Sequence, residues 1–404
     1  MQSIRWALNR MPKSDDKWLD VMSVENVDRA RAFHMSFPQY SVTPLTQLPN
    51  MAAFLGLNGL WVKDESRRFG LNAFKVLGGS FAMARYIARE TGKDISEMTF
   101  GCLTGGALRG QFGQATFFTA TDGNHGRGIA WAARRLGQSA VVHMPRGSSK
   151  ARFDSIAGEG ARVTIEDLNY DECVRLAAAG AARTPNGVLI QDTAWDGYEE
   201  IPSWIMQGYG TMAAEAAEQL GSPPTHIIIQ AGVGSLAGAV QGYFANRYPE
   251  NPPKVIVAEA RAADCLYRGA KAGDGAPRMV GGDLQTIMAG LACGEPSAIA
   301  WDILRNHAAC FSSCPDWVSA LGMRLLAAPI RGDAPVTSGE SGALGMGLIA
   351  ALMSAGSCKG LREALGLDGG SRVLLFSTEG DTDPDRYRKI VWGGELNVVI
   401  SNKR

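Results

Sequence analysis

At 404 residues the chain is longer than one hydrophobic core usually serves, so two domains are the first expectation. Hydrophobic residues make up 46% and charged residues 20%, the balance of a water-soluble globular protein. Forty basic and forty acidic residues cancel to a formal net charge of zero, which argues against a nucleic-acid-binding surface or a polybasic membrane patch.

Glycine is the outlier, with 49 residues where a usual share of ~7% would give far fewer. These glycines gather in turns and form no repeat, which suggests close backbone approach to a ligand. The N-terminal stretch has no apolar core of signal-peptide length, and the longest apolar run, 343–353, falls short of the ~20 residues that span a bilayer. A cytoplasmic protein is expected. The seven cysteines form no C-x-x-C pair, as expected of buried, reduced thiols. Cys310 and Cys314 lie four apart on a candidate helix, but no histidine pair joins them as a zinc set requires, so no metal is expected.

In chain order, residues 1–60 read as a leader packed on the main body, with 41–48 extended by its proline and 59–63 a short strand. Residues 80–90 carry Phe81, Ala84 and Ala88 at helical spacing. Strands at 116–121, 140–144, 162–165 and 188–191 then alternate with helices at 126–136, 150–156 and 172–182. After a long helix at 203–220 and a break at 222–224, the rhythm resumes. Strands are expected at 227–230, 255–259 and 373–377, with helices at 235–248, 299–306 and 343–353. Such alternation predicts an α/β fold of two open, twisted, mainly parallel sheets with helices on both faces. The expected division is a large domain of 1–78 with 199–404 and a small α/β domain of 79–198, with the site in the cleft between them. Residues 262–288, rich in Gly, Ala and Asp, read as a lid or entrance loop.

Five stretches carry chemistry. In ESRRFGLNAFKVLGG, Lys75 stands between apolar neighbours just before a helix. In TATDGNHGRG a strand turns into a helix, placing Asn124 at the rim of the sheet and Asp122 at the lip, where a carboxylate can take or give a proton. Both residues equally suit a tight turn. In QAGVGSLAG, Gly232 and Gly234 let the backbone curl while Ser235 opens a helix, the form of an anion-binding turn. In LFSTEGDTDP, Ser377 ends a strand and can donate to a neutral heteroaromatic nitrogen. In QDTAWDGY, Asp192 closes another strand, with Trp195 and Tyr198 as a wall or a hinge. A lysine before a helix, an anion-binding turn and a terminal hydroxyl are together the parts that a Schiff base to pyridoxal 5′-phosphate requires. A serine at the ring nitrogen leaves that nitrogen largely unprotonated, which favours elimination.

These stretches, in this order over roughly residues 40–385, resemble the fold type II family of pyridoxal-phosphate enzymes, which includes serine/threonine dehydratases and the tryptophan synthase β chain. Within it they are most similar to the ammonia-lyases that act on 2,3-diaminopropionate. The resemblance implies α,β-elimination of either enantiomer to pyruvate and two ammonia, by a cytoplasmic homodimer. It implies that Lys75 is the Schiff-base lysine and the base for the L substrate, Asp122 the base for the D substrate, and Asp192 the group that holds and protonates the departing β-amine. It also assigns Asn124 to the ring oxygen, Gly232, Val233, Gly234, Ser235 and Leu236 to the phosphate, and Ser377 to the pyridine nitrogen. The phosphate turn, A-G-V-G-S-L, departs from the family's commoner run of three or four glycines. Two alternatives stay open: a serine/threonine dehydratase of the same fold, and a non-catalytic nucleotide-binding module using the Gly232–Ser235 turn.

Overall fold

Short apolar runs bounded by glycine and turn residues fold as strands β1 (Arg5–Leu8), β2 (Leu45–Gln47), β3 (Gly59–Asp64), β4 (Thr116–Ala120), β5 (Ser139–Met144), β6 (Arg162–Ile165), β7 (Gly187–Leu189), β8 (His226–Gln230), β9 (Lys254–Ala260), β10 (Cys310–Cys314) and β11 (Arg372–Ser377). They are seen in a computed structural model that describes residues 3–121 and 123–397, so Asp122 lies outside the described residues. Seven strands form one sheet in the order β1-β10-β9-β8-β11-β3-β2, and four form a second in the order β6-β5-β4-β7. Only the outermost strands of the larger sheet, β1 against β10 and β2 against β3, run antiparallel. The expectation of mainly parallel sheets agrees with this order. The sequence HIIIQ of β8 is buried along its whole length, as a central parallel strand covered on both faces must be.

Two expectations need correction. Cys310–Cys314 is strand β10, not helix, because every residue of CFSSC is buried between β9 and β1. A four-residue spacing of apolar side chains fits a helix or a strand buried on both faces, and only neighbours decide between them. The first 60 residues are not a leader laid over a finished body. They supply β1, β2, the start of β3 and the Val24–Met35 helix, which is locked in by His34: its ring bonds Thr211 Oγ1 at 2.8 Å and the Leu77 carbonyl at 2.9 Å. Burial pushes the His34 imidazole down to about 3, so it is a neutral core residue. The expected lid at 262–288 also contains a helix, Cys265–Ala272.

Three helices meet closely beside Lys75, and glycines permit it. A methyl on Gly208 would come within 2.4 Å of the Leu77 carbonyl oxygen, and one on Gly128 within 2.8 Å of the Val76 Cα. Helices Val76–Thr91, Asn124–Arg135 and Glu200–Leu220 therefore approach backbone to backbone. This contact carries Asn124 towards Lys75.

Candidate active site

Lys75 sits at the N-cap of the Val76–Thr91 helix, held there by the preceding Phe74, whose N–H bonds the Thr378 carbonyl at 3.1 Å. Its Nζ donates to Asp192 Oδ2 at 2.6 Å, with the lysine side chain 20% exposed and the carboxylate 2%. Burial alone would push the ammonium down, but the charge of Asp192 overrides it and holds Lys75 above its usual range. Burial likewise pushes the Asp192 carboxyl up, and the opposing pull of Lys75, reinforced by His125 and Tyr209, brings it down to about 2. The pair is thus ionised, a lysine charged until its carboxylate partner is diverted.

Asp192 follows β7, and its backbone carbonyl accepts a hydrogen bond from Ser235 Oγ. That bond ties Asp192 to the glycine turn between β8 and the Ser235–Arg247 helix. Gly234 has φ +101°, a left-handed conformation that suits glycine. A methyl on Gly232 would lie 3.2 Å from Cys293 Sγ and 3.3 Å from Leu291 Cα, so a side chain there crowds the cleft wall. No side chain caps the Ser235–Arg247 helix, leaving its first N–H groups facing the cleft that Gly232, Val233, Gly234, Ser235 and Leu236 line. Cys265 and Cys293 flank Gly232, the former thiol 3.9 Å from its carbonyl oxygen.

Lys75, Asn124, Asp192 and the glycine turn line one cleft. Asn124 donates through Nδ2 to Glu379 Oε2, and Glu379 Oε1 accepts the Ser341 N–H at 2.8 Å. Ser377 is placed differently. It is fully buried, donates to Ser338 Oγ at 2.7 Å, and is not among the residues lining the cleft. The next residue, Thr378, does line it, as alternation past the end of a strand dictates. Thr378 Oγ1 accepts from Gln230 Nε2 at 2.7 Å, which leaves the hydroxyl proton free to point into the cleft.

Tyr209, Glu379, Thr378 and Gln230 were missed in the sequence. Tyr209 reads as one more apolar position of a long helix, and no local signal marks it. Glu379 and Thr378 stood within the STEGD stretch, where only three-dimensional placement separates them from Ser377.

The cleft fits pyridoxal phosphate on its own chemistry. Gln230 Oε1 and Ser341 Oγ are buried on its wall without a hydrogen-bond partner among the described residues, so polar ligand groups have sites to meet. An amine stands at one side of the cleft and an uncapped helix start at another, as an aldehyde and a phosphate require. The sequence pattern described as "Pyridoxal-phosphate dependent enzyme" matches residues 37–379. The chain belongs to this pyridoxal-phosphate-dependent enzyme family.

Among members of the family, diaminopropionate ammonia-lyase from Salmonella typhimurium is 54% identical over 368 residues, covering 90% of this chain and 91% of the relative. The crystal structure of diaminopropionate ammonia-lyase from Escherichia coli in complex with D-serine superposes with a TM-score of 0.90 at 44% identity, covering 98% of this chain and 99% of that one. The same Escherichia coli enzyme in complex with an aminoacrylate-PLP azomethine reaction intermediate gives 0.88 at 44% identity, covering 99% of each chain. Two mainly parallel sheets with helices on both faces are the fold type II form of the pyridoxal-phosphate-dependent enzymes.

Proposed function

We propose that this protein is an ammonia-lyase that converts 2,3-diaminopropionate, of either hand, and water into pyruvate and two ammonia. The observation that carries this reading is the 2.6 Å pair of Lys75 with a buried Asp192 at the cleft wall. A carboxylate kept ionised in that position suits a cationic β-ammonium far better than a neutral hydroxyl. Kinship with diaminopropionate ammonia-lyases at 54% identity supports the same substrate.

Lys75 would hold the cofactor, with the amides of Gly232, Val233, Gly234, Ser235 and Leu236 at its phosphate and Asn124 at its ring oxygen. For the pyridine nitrogen the hydroxyls at hand are Ser377, as the family resemblance implies, and the cleft-facing Thr378. When bound, pyridoxal phosphate supplies an electron sink that makes the Cα–H of an attached amino acid acidic. Lys75 takes that proton from the L substrate and Asp122 from the D substrate. Asp192 holds the β-nitrogen in its ammonium form, so that it leaves with the electron pair of the broken C–N bond as neutral ammonia. Hydrolysis then releases the α-nitrogen as the second ammonia and leaves pyruvate. General acid–base help of this kind contributes about 100–10,000-fold.

The proposed division is a large domain of 1–78 with 199–404 and a small domain of 79–198, the chemistry lying between them. We further propose a cytoplasmic homodimer, supported by family habit. The deciding experiment compares pyruvate release from 2,3-diaminopropionate and from serine. Strong preference for the diamine is expected, and equal or greater activity on serine would make the protein a dehydratase instead.

A further inference from the structure

Tyr209 takes no part in the chemistry above, yet it touches the centre of it. It lies mid-way along the Glu200–Leu220 helix, fully buried, and is not among the cleft-lining residues. Its hydroxyl donates to Asp192 Oδ2 at 3.2 Å, the same oxygen that accepts from Lys75 at 2.6 Å. Its ring packs 4.7 Å from that of Phe74, the neighbour of Lys75. Gly78 makes room for it, since a methyl there would come within 2.6 Å of the Tyr209 Cε1. The phenol thus bonds Asp192 from a position outside the residues that line the cleft, with the Lys75 ammonium 5.9 Å from the centre of its ring.

One oxygen with two donors becomes an oxygen with one when Lys75 is engaged elsewhere. A buried carboxylate stripped of its donors takes up a proton, and a protonated Asp192 can no longer hold an ammonium. We propose that Tyr209 is a positioning residue: its hydroxyl keeps Asp192 Oδ2 aimed and ionised while Lys75 is occupied. The inference rests on the role given to Asp192 above. Burial pushes the Tyr209 phenol well above its usual range, so the donor is retained throughout the working pH range. Among the described residues, the charged or titratable groups facing Asp192 are Lys75, Tyr209, His125 and Tyr198, while Tyr209 and Cys293 face Lys75.

Tyr209→Phe keeps the ring and removes the donor. In cofactor-loaded protein without substrate, the pH midpoint of the visible absorption band should rise by about one pH unit. With one donor fewer, the charge of Asp192 bears more strongly on the Lys75 nitrogen. In an Asp192→Asn background the same change should add a clearly smaller shift, leaving only the direct approach of Tyr209 to Lys75. Fluorotyrosine at position 209, a stronger donor, should move the midpoint the other way, and it serves if the Phe variant folds poorly. With substrate, kcat should fall about tenfold while KM stays within about twofold, and the acidic limb of the kcat profile should move to higher pH. An unmoved midpoint in both variants, or a Tyr209→Phe shift of equal size with and without the Asp192 carboxylate, overturns the proposal. Wild-type protein that binds the cofactor but releases no ammonia from the diamine defeats the function above. The substrate-free titration then still decides the case of Tyr209.

Discussion

Lys75 and Asp192 hold each other charged at 2.6 Å, and the chemistry at this scale turns on which hydroxyl or carboxylate faces the cleft. Ser377 spends its proton on Ser338, whereas Thr378 receives one from Gln230 and keeps its own. Thr378→Val should therefore weaken pyridoxal phosphate binding about tenfold, the worth of one hydrogen bond, with Ser377→Ala changing it little. Absorbance titration of the apoprotein measures both, and the reverse order would return the ring-nitrogen role to Ser377. The sequence resemblance assigns Asp122 to the D substrate. Asp122→Asn should slow D-substrate turnover at least about 100-fold and spare the L substrate, within the usual range for a lost general base. Equal loss on both enantiomers would remove the two-base assignment.

At the scale of elements, a buried charge network fixes the strand and turn that lead to Lys75. Glu215 on the Glu200–Leu220 helix receives Lys63 of β3 at 2.7 Å and Arg68 at 2.8 Å, all essentially inaccessible to solvent. Burial pushes the Glu215 carboxyl up, but hydrogen bonds and charge from Arg68, with Lys63, bring it from 4.5 down to about 2. A carboxyl whose folded value is depressed adds stability above its unfolded value and loses it as pH falls. This contribution should fade between about pH 4.5 and about pH 2. Glu215→Gln should cost about 3–5 kcal/mol at neutral pH, because two buried cations lose their shared partner. Urea unfolding at pH 7 and pH 4 checks both statements: the variant's deficit must shrink towards acid.

For the molecule as a whole, the cleft is assembled from segments far apart in sequence, so cofactor binding and folding are linked. Pyridoxal phosphate at 100 times its Kd should stabilise the protein by about 2.7 kcal/mol. Thermal melts with and without the cofactor should separate accordingly. A melt insensitive to the cofactor would mean that the cleft does not bind it.

The sequence by itself determined the alternation of strand and helix, the glycine turn, and the order of the stretches bearing Lys75, Asn124, Asp192 and Ser377. Those features are local, set by periodicity, turn chemistry and short motifs read along the chain. It could not determine that CFSSC is a strand, that Thr378 rather than Ser377 lines the cleft, or that Tyr209 shares an oxygen with Lys75. Those facts depend on which surfaces meet across the sheets and helices. Burial on both faces made β10 a strand, and the facing glycines Gly78 and Gly208 brought two helices close enough for a core tyrosine to reach Asp192.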